Sequence, residues 1–203
     1  MIAVIDYGAG NLQSVVKAFN FIGCDIKITA DPDELKYASA AVLPGVGAFG
    51  DSMNCLKNAK MVNPVLDFIE SGKPFLGICL GLQLLFEESD ECPGVSGLGV
   101  MNGKILRIPE ETGLKIPHIG WNSLDIKKQE GLFQNLDPSP YVYFVHSYYL
   151  KAEQPEYVSS TTNYGVLIDA SIQKGNLYAT QFHPEKSGKT GLRMLQNFIS
   201  LID

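Results

Sequence analysis

Phe75-Leu76-Gly77-Ile78-Cys79-Leu80-Gly81-Leu82-Gln83 is the stretch on which the fold turns. An apolar run of strand length meets a glycine-flanked cysteine, and a helix is expected from Leu80 to about Glu88. A strand that reverses sharply into a helix lifts the residue at the turn above the sheet edge. That is the geometry of a nucleophile elbow, with cysteine in place of serine. Gly77 and Gly81, two residues either side of Cys79, let neighbouring backbone approach where a Cβ would clash. The thiol would also lie at the positive end of the helix dipole, which favours negative charge.

Upstream, strand and helix signals alternate. Residues 2–6 form a short apolar run ending in Asp6-Tyr7-Gly8. Leu12, Val15, Val16, Phe19 and Ile22 fall at helical spacing behind Asn11 as cap, and Gly23 closes the helix. Residues 25–29 and Ala40-Ala41-Val42-Leu43 read as strands, and helical segments precede Gly72. This alternation predicts a parallel sheet with helices on both faces. From about residue 100 the signals become short strands, at 100–108, 115–119, 123–127, 141–147, 157–162, 166–172 and 176–182. Some of them should extend the sheet antiparallel. A last helix follows Ser187, with Leu192, Leu195, Phe198 and Ile199 on one face. No repeat, low-complexity run or linker divides the chain. Residues 1–203 are therefore expected to form a single domain of mixed, mainly parallel α/β type.

Composition agrees. Of the 203 residues 45% are apolar and 19% charged, enough to bury a full core. The formal charge is −6 and Lys and Arg are scattered, which argues against nucleic-acid or membrane-surface binding. Met1-Ile2-Ala3-Val4-Ile5-Asp6 has no basic opening and too short an apolar run for a signal peptide. No stretch approaches the ~20 apolar residues of a membrane span, so a cytoplasmic location is expected. Cys24, Cys55, Cys79 and Cys92 contain no C-x-x-C pair and should be free thiols. Cys24, Cys55 and Cys92 read as small buried hydrophobes. Cys79 is set apart by its turn.

A thiol nucleophile in acyl transfer needs a base, and the base needs an orienting partner. His183-Pro184-Glu185, at the end of the run Leu177–Phe182, offers both. Pro184 biases His183 towards extended geometry, in which residues two apart share a face. Glu185 could then reach one ring nitrogen while Cys79 meets the other. His118 and His146 have no carboxylate nearby in sequence and read as structural or substrate-lining. Three scattered histidines do not make a metal site, and no cofactor is expected. Attack on an amide creates a negative oxygen that backbone N–H groups must stabilise. The glycine-rich Leu43-Pro44-Gly45-Val46-Gly47-Ala48-Phe49-Gly50 could present such donors, with the Leu80 N–H as the second. The loop lacks the Lys-Ser/Thr ending of a phosphate-binding loop, and a plain strand-to-helix turn is the alternative.

Pro44-Gly45-Val46-Gly47, Gly77-x-Cys79-x-Gly81-x-Gln83 and His183-Pro184-Glu185, in that order, resemble the class I, triad-type glutamine amidotransferases. The resemblance covers essentially the whole chain. Within the family, Asp6-Tyr7-Gly8-Ala9-Gly10-Asn11, Pro117-His118-Ile119-Gly120-Trp121-Asn122, His146-Ser147-Tyr148 and His183-Pro184-Glu185-Lys186-Ser187 are most similar to the glutaminase subunits of imidazole glycerol phosphate synthases.

The resemblance implies a thioester mechanism. Cys79 attacks the glutamine carboxamide, His183 protonates the departing ammonia and then activates water, and Glu185 orients the imidazole. Gly45, Val46, Gly47 and Leu80 are implied at the substrate and its oxyanion. Gln83, Glu91, His146, Ser147 and Tyr148 are implied around the glutamine, and Asn11, Trp121, Asn122 and Lys186 at a partner interface. That partner would be a (β/α)₈-barrel cyclase, forming a heterodimer. It would use ammonia and a phosphorylated ribulosyl aminoimidazole carboxamide ribotide to make imidazole glycerol phosphate and an aminoimidazole carboxamide ribotide, in histidine biosynthesis. The family also implies that Pro44–Gly50 switches conformation when the partner is loaded. The alternatives are the glutaminase of another synthase, such as that of pyridoxal phosphate, a stand-alone γ-glutamyl hydrolase, or a binding module without chemistry. The complete Cys79, His183 and Glu185 set argues against the last.

Overall fold

The computed structural model describes residues 1–110 and 113–202; Glu111, Thr112 and Asp203, part of the expected 1–203 domain, lie outside the described residues. The first half runs β1 (Ile2–Ile5), α1 (Leu12–Phe21), β2 (Ile26–Thr29), α2 (Pro32–Tyr37), β3 (Ala40–Gly45), α3 (Phe49–Asn58), α4 (Val62–Glu70), β4 (Phe75–Cys79) and α5 (Leu80–Gln83). The second half runs β5 (Glu88–Ser89), β6 (Gly103–Arg107), β7 (His118–Ser123), β8 (Asp125–Ile126), β9 (Tyr141–His146), β10 (Tyr148–Ala152), β11 (Val158–Asn163), β12 (Leu167–Lys174), β13 (Leu177–Thr180) and α6 (Gly188–Ile199). Among the described residues eight strands make the central sheet, in the order β2-β1-β3-β4-β13-β12-β11-β8. The strands from β2 to β13 are parallel neighbours, and β12, β11 and β8 continue the sheet antiparallel.

Alternate side chains of the central strands feed two cores. Ala3, Ile5, Leu43 and Phe75 point to one face, where Phe49, Met53, Val65 and Phe68 of α3 and α4 cover them. Val4, Val42, Leu76 and Ile78 point to the other, under Phe19 of α1 and Met194, Leu195 and Phe198 of α6. Strands covered on both sides must be apolar throughout, and β1, β3, β4 and β13 are buried at every position. Asn11 caps α1, its side-chain oxygen accepting from the Ser14 N–H at 3.4 Å.

Three expectations are corrected. The helix after Cys79 stops at Gln83 instead of about Glu88. The Leu84 and Leu85 carbonyls accept from the N–H groups of Leu98 and Val100 at 2.8 and 2.9 Å, so they cannot serve a continuing helix. The strands expected at 115–119 and 123–127 are present with other bounds, as β7 at His118–Ser123 and the short β8 at Asp125–Ile126. β7 pairs with β9 as a separate ribbon, and β10-β6-β5 forms a third sheet. β13 ends at Thr180 rather than within Gln181-Phe182, and Pro184–Lys186 forms a 3-10 turn. Among the described residues no helix is long and apolar enough to cross a membrane.

Candidate active site

Because β3, β4 and β13 run parallel, their carboxyl ends meet at one sheet edge, where ligands of such folds bind. Cys79 occupies that edge with φ +56° and ψ −110°, a strained conformation for a residue with a side chain. The neighbouring backbone leaves no slack. A Cβ on Gly81 would land on the Leu43 carbonyl oxygen, and one on Gly77 would lie 2.8 Å from the Gly81 oxygen. Gly45, at the end of β3, packs beneath the elbow, where a Cβ would lie 2.8 Å from the Gly81 nitrogen.

The chain leaving β13 brings in His183, whose Nδ1 is 2.8 Å from Glu185 Oε1. The two side chains are 3% and 2% exposed, so the pair is shielded from water. Burial alone would push the His183 imidazole down. Cys79 and Glu185 outweigh it and raise His183 to about 9. The imidazolium is therefore the form at neutral pH. Among the described residues His183 Nε2 has no formed hydrogen bond, yet the Cys79 sulfur is near enough to favour the ring's protonation. Such contacts tighten when substrate binds. Gln181, not anticipated from sequence, directs its Nε2 at the Cys79 sulfur at 3.8 Å.

A cavity of about 330 Å³ opens above the thiol. That is the small end of the ~300–1,000 Å³ range of ligand sites, which suits an amino acid better than a nucleotide. Cys79, Leu80 and His183 line it, with Val46 and Gly47 on the loop between β3 and α3. Gln83, Glu91, His146, Ser147, Tyr148 and Lys186 complete the wall, together with Pro117 and Val145, which sequence reading did not single out. Glu185 stands behind His183, and Gly45 lies below the lining. The loop is anchored at both ends. The Tyr7 hydroxyl donates to the Pro44 carbonyl at 3.0 Å, and the Phe49 N–H donates to Glu91 Oε2 at 2.7 Å. Ala48 supplies no side-chain cap to α3, so Glu91 caps that helix from elsewhere in the chain.

His118 and His146 are buried and stand 3.0 Å apart, Nδ1 to Nε2. His146 Nδ1 lies 2.9 Å from the Tyr148 carbonyl, which can only accept. The proton is thus on His146 Nδ1, and its Nε2 accepts from His118. Burial holds His118 down to about 4 and His146 to about 3, so both stay neutral and neither matches the charged His183. Trp121 is 55% exposed, stacked edge-on against Tyr143. Asn122 donates to the Asn163 carbonyl at 2.9 Å, and Asn11 is exposed at the start of α1. Asn11, Trp121 and Asn122 do not line the cavity. Among the described residues no three His, Cys, Asp or Glu side chains are grouped to hold a metal.

The family model for class-I glutamine amidotransferases matches residues 3–201. The imidazole glycerol phosphate synthase subunit HisH of Caldanaerobacter subterraneus subsp. tengcongensis is 50% identical over 202 residues, covering 100% of this chain and 98% of that protein. The HisH subunit of Methanothermobacter thermautotrophicus is also 50% identical over 202 residues, covering 100% and 99%. The structure of PurLQS from Thermotoga maritima superposes with a TM-score of 0.77 at 19% identity, covering 100% of this chain and 98% of that one. That last likeness concerns the fold. The chain belongs to the class-I glutamine amidotransferases, and within them to the family of HisH subunits.

Proposed function

We propose that the chain is the glutaminase subunit of an imidazole glycerol phosphate synthase, releasing ammonia from glutamine at Cys79. The observation that carries this reading is one cavity holding a cysteine at a strained elbow beside a histidine locked to a buried carboxylate. The Cys79 sulfur attacks the side-chain carbonyl carbon, forming a C–S bond. The oxyanion is met by backbone N–H groups at Val46, Gly47 and Leu80, positions that line the same cavity. As the C–N bond breaks, the His183 imidazolium gives its proton to the leaving nitrogen, and ammonia departs. His183, now neutral, takes a proton from water as that water attacks the thioester. Glutamate leaves, and the starting ion pair returns. Glu185 supports the imidazolium throughout.

Ammonia free in water is mostly protonated and non-nucleophilic, so its use demands a sheltered route to an acceptor. We assign the acceptor site to a (β/α)₈-barrel cyclase subunit that consumes ammonia in histidine biosynthesis, the two chains forming a heterodimer. The docking face is the β7–β9 ribbon, whose outward side exposes Ile119, Trp121 and Tyr141 at 59%, 55% and 62%. Exposed aromatics around a polar rim are typical of protein interfaces. Trp121, Asn11 and Lys186 are the contacts to test first; Asn122, expected with them, lies on the ribbon's other face with its amide held by the Asn163 carbonyl. The four cysteines are free, as in a reducing compartment, which supports a cytoplasmic location.

Glutamate release should be measured for the wild type and Cys79→Ala, with and without the barrel cyclase and its ribotide. The expected result is weak activity alone, strong activity with the loaded partner and none in Cys79→Ala. Vigorous activity of the isolated chain would point to a stand-alone hydrolase. Activity surviving Cys79→Ala would overturn the mechanism.

A further inference from the structure

Gln181, just past the end of β13, is fully buried, 0% exposed, between Cys79 and Gln83. The oxygen and nitrogen of a buried amide are told apart by the partners they meet. The Tyr148 carbonyl accepts from Gln83 Nε2 at 3.1 Å, and a carbonyl can only accept. Gln83 must therefore turn its nitrogen inward, and that nitrogen's second hydrogen goes to Gln181 Oε1 at 3.0 Å. Turning Gln181 over would set two N–H donors face to face. Its own Nε2 is thus directed at the Cys79 sulfur, 3.8 Å away. Its backbone N–H is held by the Ala170 carbonyl at 2.8 Å, so the residue cannot swing aside without breaking a neighbouring strand contact.

We propose that Gln181 is a positioning residue for the nucleophile, its amide N–H stabilising and aiming the Cys79 sulfur, with the amide's orientation locked through Gln83 and the Tyr148 carbonyl. Charge on the sulfur then has two supports, the His183 imidazolium from one side and a neutral, fixed dipole from another. A neutral amide can neither take the sulfur's proton nor compete with His183 for it. Gln83 gains a consequence as well. With both N–H groups committed, it presents only its Oε1 to a ligand, which suits a donor such as an ammonium group.

The inference rests on Cys79 being the nucleophile. The test measures the rate of Cys79 alkylation by iodoacetamide across pH, and kcat and KM for glutamine, in wild type, Gln181→Met and Gln181→Asn. Met removes both amide groups at similar length; Asn keeps a buried amide but withdraws it from the sulfur. Both variants should be alkylated about tenfold more slowly at neutral pH, with the pH profile displaced upward, as for a lost hydrogen bond to a charged atom. Their kcat should fall by a similar factor. Profiles that superimpose on wild type, alongside a lowered melting temperature, would show that Gln181 only fills the core and would overturn the proposal. Selective alkylation of Cys79 in the wild type, absent in Cys79→Ala, tests the underlying reading separately. If that selectivity is missing, the assignment of the nucleophile fails before Gln181 is considered.

Discussion

His183 is buried, and burial opposes its charge; Cys79 and Glu185 reverse that and hold it at about 9. Glu185 is one of the two supports, and its second oxygen, Oε2, is buried with no partner among the described residues, which leaves the carboxylate committed to His183. If the imidazolium gives its proton to the leaving nitrogen, kcat/KM should fall on an alkaline limb near pH 9. In Glu185→Gln one of the two supports of the imidazolium is gone, and only that of Cys79 remains. The limb should move towards neutrality, with activity at pH 8 down at least about tenfold. A pH–rate profile checks this, and an unmoved limb would refute the assignment of His183 as acid. The same shift has a stability sign. A histidine raised above its unfolded value contributes stability that is complete below about 6.5 and is lost as pH rises through about 9. Cys79, His183 and Glu185 were legible in the sequence because each sits in a short local pattern. Gln181 was not, since its meaning comes from Gln83 and Tyr148, which only the folded sheet brings beside it.

The elbow shows how elements place a side chain. β4 delivers Cys79 to the sheet edge, α5 turns away at once, and Gly45, Gly77 and Gly81 let three backbone segments touch. Gly81→Ala would drive a Cβ into the Leu43 carbonyl, which belongs to β3 and cannot rotate away as a side chain could. Overpacking of this kind costs about 1–3 kcal/mol or more. The expected outcome is a melting temperature lowered by several degrees together with loss of glutamate release, checked by calorimetry and the glutaminase assay. An active Gly81→Ala protein of unchanged stability would mean that the elbow is less tightly packed than its geometry indicates. The strand, the turn and both glycines could be read from Phe75 to Gly81, since they rest on local backbone rules. The length of the helix could not. Leu84, Leu85 and Phe86 continue an apolar pattern that fits a helix, but Leu98, Val100 and Met101 take the carbonyls of Leu84 and Leu85. Competition of that kind is set by contacts distant in sequence.

At the scale of the molecule, the parallel half is a scaffold and the β7–β9 ribbon is a cover laid over its active edge. The alternation of strand and helix up to Cys79 made the scaffold readable. The strand partners in the second half were not, because non-local pairing leaves little trace in a short segment. The ribbon's two faces differ in kind: Ile119, Trp121 and Tyr141 face out, while His118 and His146 face in with Phe144. His118 is sandwiched between Phe144 and Tyr164, with ring centroids 4.7 and 3.9 Å away, and donates to His146 in the cavity wall. The pair thus ties β7 to β9 at the cavity wall, and the tie is lost when His146 Nε2 takes a proton and can no longer accept from His118. Their values near 4 and 3 lie below the unfolded 6.5, so the unfolded chain binds more protons as the pH drops. Stability should therefore decline as pH falls below about 6.5, by up to ~1.4 kcal/mol per pH unit for each histidine. His118→Gln keeps an N–H for His146 but removes one titrating group. Urea denaturation of both proteins between pH 7 and 4.5 should give the variant the shallower acid limb, while the carboxylates common to both cancel in the comparison. Parallel limbs would mean that His118 is protonated in the fold, and the ribbon would then be held by something other than this neutral pair.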